Sequence, residues 1–160
     1  MTDNVKLLLT TRRDFVVGAG ATAVVVALLG AGIEARAADR SAQFETAYKA
    51  LLGSATPQPG GVAMDIPNAI DNGAFVPVAL SVDSPMTADN YVKAIHLLST
   101  ANPAAAVATF HFTLLSGKAT VTSRMRLAQS QEVVAVAALS DGTFLMSTRT
   151  VDVKVGGCGI

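Results

Sequence analysis

Between residues 38 and 52 the apolar positions recur at helical spacing. Phe44, Ala47, Tyr48 and Leu51 stand at i, i+3, i+4 and i+7 and make one apolar face. Glu45 precedes Lys49 by four residues, the favourable order for an exposed pair on a helix, and Gly53 follows as a stop signal. The spacing predicts one short amphipathic helix over 38–52, with its stripe as a packing face and not a cofactor site. Residues 54–61, SATPQPGG, form a loop by composition. Beyond them the period shortens to that of strands, expected at 62–66, 75–82, 91–99, 107–115, 119–128, 132–139 and 143–155. Alternation is cleanest in ATVTSRMRLA: Ala119, Val121, Ser123, Met125 and Leu127 share one face, and Thr120, Thr122, Arg124 and Arg126 share the other. Asp141-Gly142 marks a hairpin turn and Asn72-Gly73 a second turn. Val92, Ile95 and Leu98 also fit a helical period, but 91–99 is read as a strand. About seven short strands at this spacing predict an all-β, Ig-like β-sandwich preceded by the short helix. No Cys…Trp…Cys core accompanies them, so the likeness is architectural.

Ahead of the helix the pattern is different. Lys6, Arg12 and Arg13 are followed by a run without charge from Phe15 to Ile33, and then by Ala35-x-Ala37, a small-residue cleavage pattern. Thr11-Arg12-Arg13-Asp14-Phe15-Val16 matches a twin-arginine signal. The competing reading is an uncleaved membrane anchor, since the run is nearly long enough to span a bilayer. Gly18, Gly20, Gly30 and Gly32 dilute its hydrophobicity, and the cleavage pattern is in place, so a removed signal peptide over 1–37 is expected. The expected organisation is then an Ig-like domain with its N-terminal helix over 38–155 and a flexible C-terminal arm over 156–160. The expected location is the periplasm, reached in a folded state, with no membrane insertion after processing. Folded export without a cofactor motif suggests a partner subunit carried across together with this chain.

Charge narrows the function. Lys+Arg and Asp+Glu both total 12. Removing 1–37 takes four cations and three acids, leaving eight positive and nine negative charges, so nucleic acid is not an expected partner. With His96 and His111 the only histidines and Cys158 the only cysteine, a Cys/His metal cluster is almost excluded by inventory. No cofactor is expected. His96 and His111 read as solvated or partner-facing side chains. Met64, Met86, Met125 and Met146 read as core fillers, and Arg124 and Arg126 as a solvated face.

Cys158 is the chemistry that remains. It lies in VKVGGCGI, just past a strand whose Val151, Val153 and Val155 alternate with Asp152 and Lys154. Gly156, Gly157 and Gly159 bracket it with residues of maximal backbone freedom and no bulk. If the chain is free after Val155, the thiol reaches roughly 10 Å beyond the strand. An odd cysteine in an oxidising compartment is free, joined to another chain, or chemically loaded. A free thiol has a pKa near 8.5, and the tail offers no histidine or helix terminus to lower it; the nearest cation, Lys154, is four residues away. The activating groups must therefore belong to another protein, and Cys158 is a handle. Prenylation requires a cysteine fourth from the end and does not fit.

The twin-arginine signal, the helix ending in LLG, the DNGAFVPV segment from Asp71 to Val78 and the VKVGGCG stretch together resemble the SoxY family. The resemblance spans essentially the whole chain. It implies a sulfur carrier of periplasmic thiosulfate oxidation, itself not an enzyme, paired as a heterodimer with a signal-less β-protein, SoxZ. Cys158 would be the covalent attachment residue, and Gly156, Gly157 and Gly159 a thin swinging arm. A haem c enzyme would couple thiosulfate to the thiol, and a dimanganese hydrolase would release sulfate and leave a persulfide. A sulfur dehydrogenase would oxidise the remainder, or the sulfur would be deposited. The family's usual Gly-Gly-Cys-Gly-Gly differs here at Ile160. Two other readings remain: an Ig-like structural module that uses Cys158 only for an intermolecular disulfide, and a metal-delivery protein.

Overall fold

Ser41 sits in extended conformation, and its hydroxyl accepts the Phe44 N–H at 3.2 Å. That cap starts helix α1 at Ala42, so α1 covers Ala42–Leu52 and not the whole of 38–52. The computed structural model describes residues 40–157; the twin-arginine signal, the cleavage pattern, Cys158, Gly159 and Ile160 lie outside the described residues. Gly53, at φ 60°, closes the helix with its N–H on the Lys49 carbonyl. Among the described residues no helix is long and apolar enough to cross a membrane.

Every expected strand is present, and two short ones join them. In chain order they are β1 (Gln58–Pro59), β2 (Val62–Asp65), β3 (Ala69–Asn72), β4 (Val76–Val82) and β5 (Val92–Ser99). Then follow β6 (Ala106–His111), β7 (Ala119–Met125), β8 (Gln131–Leu139) and β9 (Phe144–Val155). They form two sheets, one ordered β1-β9-β8-β5-β6 with β3 also on β9, the other β2-β4-β7. The fold is the all-β sandwich that the alternation predicts. Residues 107–115 are the exception: the strand stops at His111, and Leu114–Ser116 make a 3-10 turn that leaves Leu115 97% exposed. The predicted 119–128 strand likewise ends early, at Met125.

Val76, Val78, Leu80 and Val82 of β4 face Ile95 and Leu97 of β5 and Val133, Ala135 and Ala137 of β8 across the sandwich. β5 carries a second apolar face because α1 covers the outside of its sheet. There Phe44 and Leu52 pack on Leu98, Ala105, Val134 and Val136. Burial on both faces, together with bulges at Val92/Ala94 and Leu97/Leu98, explains why residues 91–99 also fit a helical period. The β8–β9 turn is the predicted Asp141-Gly142 hairpin. The Asp141 carboxylate accepts the Thr143 N–H at 2.8 Å and hydroxyl at 2.7 Å, bonds that hold its pKa below the ordinary value.

Phe44 is fully buried, stacks on Tyr48 at 5.4 Å, and anchors α1 to the sheet. Phe44→Ala is expected to cost about 3–5 kcal/mol in urea unfolding. A loss below about 1 kcal/mol would show that the helix is not docked through this ring.

Candidate functional site

β9 runs to Val155 as its alternation predicts, and the chain then enters a clasp made of three backbone segments. The Gly73 N–H donates to the Val155 carbonyl, the Leu127 N–H donates to the Gly73 carbonyl, and the Gly157 N–H donates to the Leu127 carbonyl, each at 2.8 Å. β3 brings Gly73 there by pairing in parallel with the end of β9, Asn72 opposite Val155. The Asn72 side chain accepts the Ala74 N–H at 2.9 Å and shapes the turn that follows. Lys154 and Asp71 bridge the same pair of strands at 2.7 Å, both well exposed, so the ion pair adds little.

These glycines are needed for close approach. A Cβ on Gly156 would overlap the Ala128 carbonyl oxygen; one on Gly157 would overlap the backbone of Gly73 and Ala74. A Cβ on Gly73 would overlap the Leu127 carbonyl oxygen and lie 2.9 Å from Val153 Cγ1. No side chain fits at any of the three positions, and none of them has a left-handed φ. This corrects the expectation that Gly156 and Gly157 are loose links. The root of the arm is held through Gly157, so Cys158 is one residue, about 3.6 Å of extended chain, past a fixed point. The reach of roughly 10 Å expected from a chain free after Val155 shrinks accordingly.

Beside this exit Phe75 is 54% exposed, and the Arg124 guanidinium lies over its ring at 4.7 Å. Arg124 is exposed, as expected of a solvated face, and its guanidinium also rests on an aromatic ring. Arg126 remains exposed. Val155, 63% exposed, adds apolar surface at the end of β9. The seat left no clear mark in the sequence. Gly73 looked like a turn residue, and only the DNGAFVPV segment hinted at more.

The other candidates sit elsewhere. His96 and His111 are diagonal neighbours on β5 and β6, far along the register from the β9 end, with His96 Nδ1 3.1 Å from Thr109 Oγ1. His111 is exposed, while Phe110 and Phe112 pack on the core. Met64, Met86 and Met125 fill the core, and Met146 accepts the Tyr48 hydroxyl at 3.2 Å against α1. The export residues Arg12, Arg13, Phe15, Ala35 and Ala37 lie outside the described residues, as do Cys158 and Gly159.

Two measurements follow from this geometry. A free hinge glycine replaced by alanine is neutral or stabilising by about 0.4–1 kcal/mol, because the unfolded chain loses entropy. Gly156→Ala and Gly157→Ala should instead destabilise by about 1–3 kcal/mol in urea unfolding, since the clasp must open to admit the methyl group. The second concerns His96, whose pKa is lowered from 6.5 by burial and then by the neighbouring His111. Below 6.5 the unfolded chain binds a proton that folded His96 resists, so this part of the stability is present above 6.5 and lost as pH falls. An NMR titration should place His96 below 6.5, and a midpoint at or above that value contradicts the packing described.

Residues 48–158 match the family described as sulfur oxidation protein SoxY, so the match ends on Cys158. The sulfur carrier protein SoxY from Chlorobium limicola f. thiosulfatophilum superposes with a TM-score of 0.59 at 29% identity, covering 71% of this chain and 97% of that one. A superoxide reductase (neelaredoxin) variant from Ignicoccus hospitalis superposes at 0.53 with 18% identity, over 68% of this chain and 86% of its own. A superoxide reductase from Nanoarchaeum equitans reaches 0.50 at 8% identity, over 59% and 99%. The two reductases share the sandwich fold alone. No curated protein matches the chain. The family match over most of the chain and the SoxY structure agree, and the chain belongs to the SoxY family of sulfur oxidation proteins.

Proposed function

We propose that the chain is a covalent sulfur carrier of thiosulfate oxidation, with Cys158 as the attachment residue. The observation that carries this reading is the clasp at Gly73, Leu127 and Gly157. The end of the last strand is led through a seat where Gly73, Gly156 and Gly157 admit no side chain, and the family match stops on the thiol that comes next. The sandwich is the platform, and the residues past the seat are the part that enters other proteins.

On this reading the chain presents a substrate and does not catalyse. A haem c partner removes two electrons as the Cys158 thiol and thiosulfate join: R–SH plus ⁻S–SO₃⁻ gives R–S–S–SO₃⁻, a proton and two electrons. A dimanganese hydrolase then adds water, releasing sulfate and a proton and leaving R–S–SH. The persulfide passes to a sulfur dehydrogenase or is deposited as sulfur. The fixed exit supports such a relay, because every enzyme meets the thiol at the same point on the same surface. Gly159 adds no side-chain bulk beside the cysteine, and Ile160 stands where the family usually has glycine.

The location completes the proposal. Arg12, Arg13 and Phe15 direct folded export to the periplasm, cleavage follows Ala37, and a SoxZ-like β-protein without its own signal travels as the heterodimeric partner.

Intact mass spectrometry of the mature protein with thiosulfate and the coupling enzyme tests the reading. The mass should rise by one thiosulfonate group, and Cys158→Ser should abolish the gain. If the only product is a disulfide-linked dimer through Cys158, the chain is an interaction module and the carrier reading is overturned.

A further inference from the structure

Two buried amides lie directly behind the clasp. Asn102 is 7% exposed and Gln131 5% exposed, and they bond to each other: Gln131 Nε2 donates to Asn102 Oδ1 at 2.8 Å. Both polar atoms of the Asn102 amide also bond to one short stretch of chain. Its Nδ2 donates to the Arg126 carbonyl at 2.8 Å, and its Oδ1 accepts the Ala128 N–H at 2.9 Å. That is how a neighbouring strand would pair with residues 126 and 128. Gln131 adds a bond from Nε2 to the Gln129 carbonyl at 3.2 Å, and its Oε1 accepts the Ala101 N–H at 2.7 Å.

The consequence falls on Leu127. Its neighbours spend their backbone groups on the amides, so its own N–H and carbonyl point the other way, to Gly73 and Gly157. Its side chain is fully buried, which blocks rotation of the segment. Ala128, held through its N–H, presents the carbonyl against which Gly156 is packed. A buried amide left without its partner is costly, so the stretch has no equally good alternative shape.

We infer that Asn102, supported by Gln131, is a positioning residue for the carrier thiol. It acts through residues 126–128 to fix the point and direction in which the chain leaves the sandwich before Cys158. The inference rests on the carrier reading for its functional consequence. Without the amide template the seat relaxes, the exit spreads over many directions, and only a fraction of carriers meet an enzyme in a productive pose. The apparent affinity falls by that fraction while the chemistry on a bound thiol is unchanged.

The test uses the full mature chain with its partner, carrying Asn102→Ala, with Leu52→Ala as a control that weakens α1 at the end opposite its Ser41–Thr100 contact. In Asn102→Ala the Gly157 amide should exchange with solvent about tenfold faster or more, relative to amides in β5 and β8. Thiosulfate loading by the coupling enzyme should show a raised KM for the carrier with kcat retained. Alkylation of Cys158 by iodoacetamide should be unaltered, since a small reagent needs no orientation. Gln131→Ala should move both readouts in the same direction, and it decides alone if Asn102→Ala does not fold. The inference is overturned if Gly157 exchange and KM change no more than in Leu52→Ala. If the wild-type chain takes up no thiosulfate at all, the carrier reading fails, and the exchange comparison still decides whether Asn102 holds the seat.

Discussion

Three backbone segments meet at the end of β9 so closely that Gly73, Gly156 and Gly157 admit no side chain, and the arrangement of the molecule converges on that contact. Gly73, Leu127 and Gly157 close a chain of three hydrogen bonds, each 2.8 Å, with the Val155 carbonyl as its first acceptor. A methyl group at Gly73, Gly156 or Gly157 would overlap a neighbouring backbone, so the bonds and the absence of side chains are one constraint. Each segment comes from a different part of the sandwich. Gly73 follows β3, Leu127 follows β7, and Gly157 follows β9, so both sheets contribute to the seat.

The sandwich gives this seat its rigidity. β9 is paired with β8 along most of its length and with β1 and β3 on its other side. Val151, fully buried, ties the strand's far half to the core. Behind the seat the amides of Asn102 and Gln131 take the place of a missing strand. In front of it Phe75, capped by Arg124, leaves an aromatic surface where the chain emerges. On the proposed carrier reading, the Cys158 thiol needs no activating group of its own, because activation belongs to whichever protein receives it.

How much of this was legible depended on how local the cause was. The α1 stripe and the β7 alternation declare themselves because burial on one face imposes a period on the sequence. The expected range began at residue 38, where the sequence has no stripe to fix a start, whereas the Ser41 cap starts the helix at Ala42. β3 carries no such mark: Ala69–Asn72 is mostly exposed and is held by backbone pairing to residues more than eighty positions away. Gly156 and Gly157 were visible as glycines, but glycine serves both freedom and close approach, and the chain alone does not distinguish them. Asn102 and Gln131 carry no mark in the sequence, since a side chain that mimics a strand edge leaves no periodic trace. The cysteine was found from composition and position, and its seat only from tertiary contacts.

Gly156 and Gly157 belong to the folded body, and free chain does not begin at Val155. Backbone NMR relaxation on the wild-type mature protein measures this directly. Order parameters at Gly156 and Gly157 are expected to equal those of β9, about 0.85. Values already below about 0.6 at these two glycines would mean a hinge where the account places a clasp, and would contradict it.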